Sequence, residues 1–198
     1  MRLLAVAAML IFFGIDMGPA FAIPLAAVAC VLIASDLFLM DERGRLDILY
    51  ATLPVGRTTV VLGRYTTVLL EFLVAAVIGN TVAMLDVDFG RAPLGPGMLV
   101  MMNVVGFVIV AVGLAVQLPA FFALGYTKAR FVGLVPPVVI AVAGLSVGRK
   151  ADILQGLAAI VRGRGVSVPL EAAAVAGCVI VLAASVLAAR ALYVRRRL

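Results

Sequence analysis

Apolar runs long enough to cross a lipid bilayer recur along almost the whole sequence, and only short polar stretches separate them. A membrane-spanning helix needs about 20 predominantly apolar residues, and these runs are too long for the strands of a transmembrane barrel. Because lipid cannot satisfy backbone N–H and C=O groups, each run is predicted to be a helix. The six predicted spans cover residues 3–17, 20–40, 58–85, 97–124, 131–148 and 169–193.

The composition predicts one membrane domain over residues 1–198 with no attached soluble domain. Hydrophobic residues make up 65% of the chain and charged residues 13%. A soluble domain of this length needs far more charged surface. The predicted fold class is therefore an all-α, polytopic membrane protein with six transmembrane helices.

Lysine and arginine are distributed unevenly between the two predicted faces of the membrane. With the N-terminus in the cytoplasm, eleven of the 16 basic residues fall on the cytoplasmic side and five on the other. The positive-inside rule therefore predicts that both termini are cytoplasmic. We expect a multi-pass protein of the plasma membrane. The same bias explains the formal net charge of +6 without a nucleic-acid partner.

The first 22 residues have a second interpretation. Arg2, an apolar stretch and then Ala20-Phe21-Ala22 resemble a secretory signal peptide with its cleavage site. Cleavage there would remove the first span. The prediction for the other five spans does not depend on which interpretation holds.

The residues that the sequence lacks exclude several kinds of active site. Histidine is absent, so the usual zinc sites and the Ser–His or Cys–His catalytic pairs cannot be built. Cys30 and Cys178 each lie inside an apolar run, as small buried side chains do. The sequence contains no G-x-x-x-x-G-K-[ST] phosphate-binding loop. We therefore predict no catalytic residue, no metal site and no cofactor held by this chain, which is not expected to be an enzyme.

The stretch between the second and third predicted spans is too charged to cross the membrane and too apolar for a free loop. Its apolar residues recur at three- and four-residue spacing, which predicts a helix with one apolar face over residues 41–54. Asp41 and Glu42 are expected at its start, where carboxylates complement the helix dipole, and Pro54 at its end. Such a helix either lies passively at the membrane surface or docks a cytoplasmic partner. The apolar residues are Leu46, Leu49, Tyr50 and Leu53.

Two sequence motifs resemble a known family. The first has three parts in order, which are Asp41-Glu42, Leu53-Pro54-Val55-Gly56-Arg57 and Val61-Leu62-Gly63-Arg64-Tyr65. The second is LPAFFALGYTKAR over residues 118–130, at the end of the fourth predicted span. Together they resemble the ABC type-2 transporter permeases, in particular a small six-helix bacterial branch that includes the permease of the phenol-soluble-modulin peptide exporter.

The resemblance implies the membrane-spanning subunit of an ABC exporter, with amphipathic peptides as the first candidate substrates. Two permease subunits would form the translocation path for the substrate. Two separate ATPase subunits, which hold ATP and magnesium, would dock below them. Residues 41–54 would be the coupling helix that the ATPase grips, and a short re-entrant or interfacial helix would lie between the fifth and sixth spans. The candidate coupling residues are Asp41, Glu42, Arg45, Asp47, Leu49, Tyr50, Leu53, Pro54 and Arg57.

Two other classes of function stay open from the residues alone. A non-transporting membrane protein, such as an assembly partner or an immunity protein, would explain the spans but not the charged stretch between them. An integral-membrane enzyme would need convergent acid, base or nucleophile groups, and the sequence offers no such set.

Polar side chains inside the predicted spans are further candidates for function. Glu71 in the third span is a costly intramembrane carboxylate, and it shares a helix face with Arg64. Three interpretations fit it: a substrate-facing or gating role, a buried structural pair with a basic residue on another helix, or a position near the membrane interface. Asn80, Asn103 and Gln117 are expected to hydrogen-bond between helices or to line the path. The glycines predicted to permit close helix contact are Gly79, Gly106, Gly113 and Gly144.

Overall fold

The computed structural model of the protein describes residues 19–44, 56–88, 96–129 and 168–195, together with residues 131, 132, 135 and 139. These residues contain four long helices and no strand, so the all-α prediction is confirmed for this part of the chain. The helices are α1 (Pro19–Arg43), α2 (Arg57–Asp88), α3 (Pro96–Leu124) and α4 (Val168–Arg195).

Each of the four helices coincides with a predicted span. α1 to α4 correspond to the second, third, fourth and sixth predicted spans, and each contains a stretch long and apolar enough to cross a membrane. The first predicted span lies wholly outside the described residues, and the fifth lies largely outside them. The helix predicted between the fifth and sixth spans is outside them too, so the plan of six spans stays a prediction.

Helix α1 packs through small side chains. Four small residues recur at helical spacing and are each at most 2% exposed, which are Ala26, Ala27, Cys30 and Ala34. α1 contacts α2 and α3, while α3 also packs against α4. In lipid the hydrophobic effect does not drive helices together, so close van der Waals packing between small residues takes its place.

Three glycines make the closest helix contacts. A Cβ atom at Gly113 would lie 2.7 Å from both Cγ atoms of Val31 on α1, and one at Gly79 would lie 2.9 Å from Ile23. At Gly106 a Cβ atom would lie 3.2 Å from both Ile23 and Phe72. The predicted role of these three glycines in close contact is confirmed, whereas Gly144 lies outside the described residues.

The outward faces of the helices are strongly apolar. Six large apolar side chains on α2 and α4 are at least 60% exposed, which are Leu70, Leu73, Val77, Met84, Ile180 and Leu187. An exposed set of large apolar side chains of this kind is unfavourable in water, whereas lipid accommodates it. Together with the four spanning helices, it identifies a multi-pass membrane protein.

One end of the bundle gathers the basic residues of the described helices. α1, α3 and α4 end here, and α2 begins here. Three contacts establish this: one between α1 and α2, one between α1 and the turn after α3, and one between α3 and α4. We call it the basic end. No Lys or Arg occurs in the described residues at the opposite end of these helices. The basic residues are Arg43, Arg57, Arg64, Lys128, Arg190 and Arg195.

Candidate functional site

A cluster of aromatic rings joins three helices at the basic end. The Phe38 ring on α1 lies 5.0 Å from the Phe121 ring and 5.1 Å from the Phe122 ring on α3, measured between centroids. Phe122 in turn lies 5.2 Å from Tyr193 on α4, and Phe121 lies 5.9 Å from Tyr126. Offset and edge-on ring pairs at these distances are favourable, so the cluster holds the ends of α1, α3 and α4 together.

Asp41 and Arg64 form an ion pair between α1 and α2 at the same end. Their side chains are each 16% exposed, and the Arg64 guanidinium carbon lies 5.9 Å from the centre of the Phe38 ring. A partly buried pair is screened less by water and salt than an exposed one. The sequence placed Arg64 on the same face as Glu71, but the structure pairs it with Asp41 on the neighbouring helix.

Glu42 caps the helical turn that follows α3. Gly125 ends α3 with a φ of 77°, and its carbonyl accepts a hydrogen bond from the Ala129 N–H at 3.1 Å, which begins the next helical turn. A helix start needs an acceptor for its first free N–H groups, and glycine has no side chain to supply one. The Glu42 carboxylate accepts from the Thr127 backbone N–H at 3.0 Å and from the Thr127 hydroxyl.

The structure places Asp41 and Glu42 differently from the prediction that they begin a separate helix. Both lie in the last turn of α1, which continues until the Gly44 N–H donates to the Met40 carbonyl at 2.9 Å. Negative charge is unfavourable at a helix C-terminus. The ion pair with Arg64 and the cap on Thr127 offset that cost.

Seven other candidate coupling residues follow Glu42 in the sequence. Arg57 begins α2, and its side chain is not described. The remaining six lie outside the described residues, which are Arg45, Asp47, Leu49, Tyr50, Leu53 and Pro54.

Asn80 and Asn103 form a reciprocal amide pair near the opposite end of the bundle. The Asn80 side-chain amide donates to the Asn103 oxygen at 3.0 Å, and the Asn103 amide donates back at 2.9 Å. Each amide also donates to the backbone carbonyl four residues earlier in its own helix, at 2.8 Å in both cases. This is the predicted hydrogen bond between helices, and it joins α2 to α3.

The hydroxyl pair of Tyr65 and Ser185 is a further link that the sequence did not indicate. Their oxygens lie 2.6 Å apart in the bundle interior, and the Ser185 hydroxyl reaches the Ala115 carbonyl at 3.3 Å. The contact joins α2, α4 and α3. Tyr65 belongs to the family-like motif, but nothing in the spacing of the sequence pointed to Ser185 as its partner.

Two intramembrane polar residues remain. Glu71 on α2 is partly buried. Gln117 on α3 is completely buried. Within the described helices, no group of three His, Cys, Asp or Glu side chains is arranged to hold a metal ion.

Replacing Asn103 with leucine is expected to destabilise the protein in detergent by about 1 kcal/mol, the scale of an interhelical hydrogen bond in lipid. The Asn80→Leu variant should lose a similar amount, and the double variant should lose little more than either single variant. Thermal unfolding of the three variants measures this. Strictly additive losses would mean that the two amides do not depend on each other.

The comparison of the sequence with known protein families covers nearly all of the described helices. No curated protein and no solved structure matches the chain. A family described as ABC-2 family transporter protein matches residues 1–192, which include α1, α2, α3 and almost all of α4. The chain therefore belongs to the ABC-2 family of transporter proteins.

Proposed function

We propose that this chain is the transmembrane permease subunit of an ABC exporter, driven by ATP hydrolysis in a separate ATPase subunit. The observation that carries the proposal is the match to the transporter family over residues 1–192. The charged stretch of residues 45–55 lies between the end of α1 and the start of α2, both at the basic end. An ATPase docked beneath the bundle would therefore meet this stretch first. ATP and magnesium would be bound by the ATPase and not by this chain.

The distribution of charge supports an orientation with the basic end in the cytoplasm. All described Lys and Arg residues lie at or near that end, as the positive-inside rule requires of a cytoplasmic face. The opposite end carries Asp86, Asp88 and Glu171. The C-terminus follows α4 on the cytoplasmic side in this orientation. We assign the permease to the plasma membrane and place its N-terminus in the cytoplasm as well.

The direction of the helices supports the predicted fifth span. Ala115 and Phe122 on α3 contact Ser185 and Tyr193 on α4, so these two helices run in the same direction. The chain that connects them has to return from the basic end to the opposite end. A helix over about residues 131–148, the fifth predicted span, would do this. The first predicted span, before α1, would bring the total to six crossings, and an even number puts both termini on the same side of the membrane.

Residues 41–57 are the proposed coupling segment, and its central part is the proposed contact with the ATPase. Arg45 and Asp47 would supply polar contacts, and Leu49, Tyr50 and Leu53 would pack into a groove on the ATPase. Pro54 and Arg57 would end the segment and lead into α2. A second permease subunit would cover part of the apolar surface of the bundle. Amphipathic peptides are the proposed substrates, on the resemblance of the sequence alone.

Replacing Asp47 with lysine together with Tyr50 with alanine is expected to abolish co-purification of the ATPase. The full-length permease is purified in mild detergent from its own host, and the bound ATPase is identified by mass spectrometry. Charge reversal and loss of the aromatic ring would remove one polar and one packing contact from the centre of the interface, where such anchors carry most of the binding energy.

The matched control is Glu171→Lys, which makes a similar charge reversal in the first turn of α4 at the opposite end. It should retain the ATPase in full. A wild-type permease that purifies without any ATPase would contradict the proposed function and would favour a non-transporting membrane protein. An ATPase that stays bound to the double variant would contradict the assignment of the contact.

A further inference from the structure

We infer that Asp41 and Glu42 form a clamp that fixes the base of the coupling segment to three parts of the bundle, and that they act through this clamp and not through direct contact with the ATPase. The inference rests on the proposed function, because it concerns how movement of that segment reaches the membrane helices. It changes the role that the sequence motif implies for both residues, since each carboxylate is occupied within the permease.

The position of the two carboxylates calls for a physical explanation. They are adjacent in the last turn of α1, where the helix dipole disfavours negative charge. Two neighbouring carboxylates also repel each other. Each is stabilised by a partner on a different element, Arg64 on α2 for Asp41 and Thr127 after α3 for Glu42. Both carboxylates are therefore stabilised by residues that are distant in the sequence.

The ion pair links the two ends of the coupling segment to each other. Asp41 is the first residue of the segment, and Arg64 lies in the second turn of the helix that the segment leads into. The pair is mostly buried, with each side chain 16% exposed, and the guanidinium lies over the Phe38 ring. The two ends of the segment consequently cannot separate without breaking a partly desolvated ion pair.

The helix cap extends the clamp to a third element. Glu42 accepts two hydrogen bonds from Thr127, one from the backbone and one from the hydroxyl. Thr127 follows Gly125, whose N–H donates to the Phe121 carbonyl at 2.9 Å at the end of α3. The Phe121 and Tyr126 rings also contact each other across this glycine. A displacement of Glu42 is thereby passed to the end of α3.

The two contacts together give the clamp its role in coupling. A force applied to the segment by the ATPase would reach α1, α2 and the end of α3 at the same time, so these elements would move as one unit. The clamp needs opposite charges at positions 41 and 64 but does not need a particular sign at either one. Direct contact with an ATPase would require the negative charge to stay at position 41.

Exchanging the two charges separates these explanations. Three variants of the permease are each co-purified with the ATPase and reconstituted in nanodiscs. They are Asp41→Asn, Arg64→Gln, and the double variant Asp41→Arg with Arg64→Asp. The stimulation of ATP hydrolysis by the permease, relative to the ATPase alone, is expected to fall about tenfold in the single variants, a typical coupling effect. ATPase affinity should stay near the wild-type value. The double variant should recover most of the stimulation.

The control is Arg190→Gln, which removes an exposed arginine from α4 at the same end of the bundle and should leave the stimulation unchanged. A double variant that folds, binds the ATPase and stays as poorly stimulated as the single variants would overturn the inference. So would single variants that lose ATPase affinity without recovery in the double variant. Absence of any ATPase on the wild-type permease would instead contradict the proposed function, and the inference with it.

A second pair of variants tests the cap independently, in case the charge exchange does not fold. Glu42→Gln and Thr127→Val each weaken the cap. The double variant should reduce the stimulation of ATP hydrolysis no further than the single variant that has the larger effect. Their thermal midpoints are measured alongside. Additive losses of stimulation, or losses that simply follow the fall in thermal midpoint, would overturn the role of Glu42 in coupling.

Discussion

Replacing Gly113 with leucine is expected to prevent accumulation of folded permease in the membrane. A Cβ atom at this position would already lie 2.7 Å from both Cγ atoms of Val31, and Val31 is completely buried between the helices. Even alanine should cost about 1–3 kcal/mol, the usual range for overpacking a filled core. Leucine adds three more carbon atoms at the same contact, so α1 and α3 would have to separate. Fluorescence-detected size-exclusion chromatography of a tagged permease measures the folded fraction.

The partner residue supplies a rescue that identifies the cause. Val31→Ala removes the two Cγ atoms and leaves the Cβ atom, which lies 3.3 Å from the added Cβ. The Gly113→Ala, Val31→Ala double variant should therefore be more stable than Gly113→Ala alone. Gly177→Ala is the control, because a Cβ at that exposed position of α4 meets no atom within 4 Å. It should be as stable as the wild type or slightly more so, since alanine is the better helix former. Equal losses at positions 113 and 177 would contradict the packing of α1 against α3.

Replacing Phe122 with alanine is expected to destabilise the protein by about 3–5 kcal/mol, the range for removing a buried aromatic ring. The ring is 4% exposed and lies between Phe38 on α1 and Tyr193 on α4. No Cα atom of α1 lies within 8 Å of a Cα atom of α4 in the described residues, so this ring links two helix ends whose backbones are not in close contact. Its loss should free the end of α4, which is measured as faster proteolysis near the C-terminus and a lower thermal midpoint.

Leu187→Ala is the control for the loss of an apolar side chain in the same region. Leu187 lies on α4 and is 63% exposed, so its truncation leaves no cavity inside the bundle. Its thermal midpoint should stay close to that of the wild type. A Phe122→Ala variant as stable as Leu187→Ala would mean that the aromatic cluster does not hold the basic end together.

The described helices follow closely from the sequence because their length and apolar character are set by the bilayer. Each of the four begins and ends within about three residues of its predicted span, since charged and proline-rich stretches mark where the lipid ends. The close contacts at Gly79, Gly106 and Gly113 were also predictable, because a missing side chain in an apolar helix has few explanations other than packing.

The partners of the polar residues did not follow from the sequence. Arg64 and Glu71 lie on one helix face, but the pairing of Arg64 with Asp41 depends on how α1 is rotated against α2. Glu42 and Thr127 lie 85 residues apart, and their contact depends on Gly125 starting a new helical turn beside the end of α1. Ser185 was missed for a similar reason, because one hydroxyl in a helix carries no signal about its neighbour.

A photo-crosslinking amino acid at position 50 tests the central claim most directly. The full-length permease with this residue is irradiated in native membranes, and the same residue at position 187, on the exposed apolar surface of α4, serves as the comparison. We expect the position 50 probe to crosslink to an ATPase subunit and the position 187 probe not to. A position 50 probe that labels only lipid, in membranes where the permease is folded, would contradict the assignment of this chain as an ATPase-coupled permease.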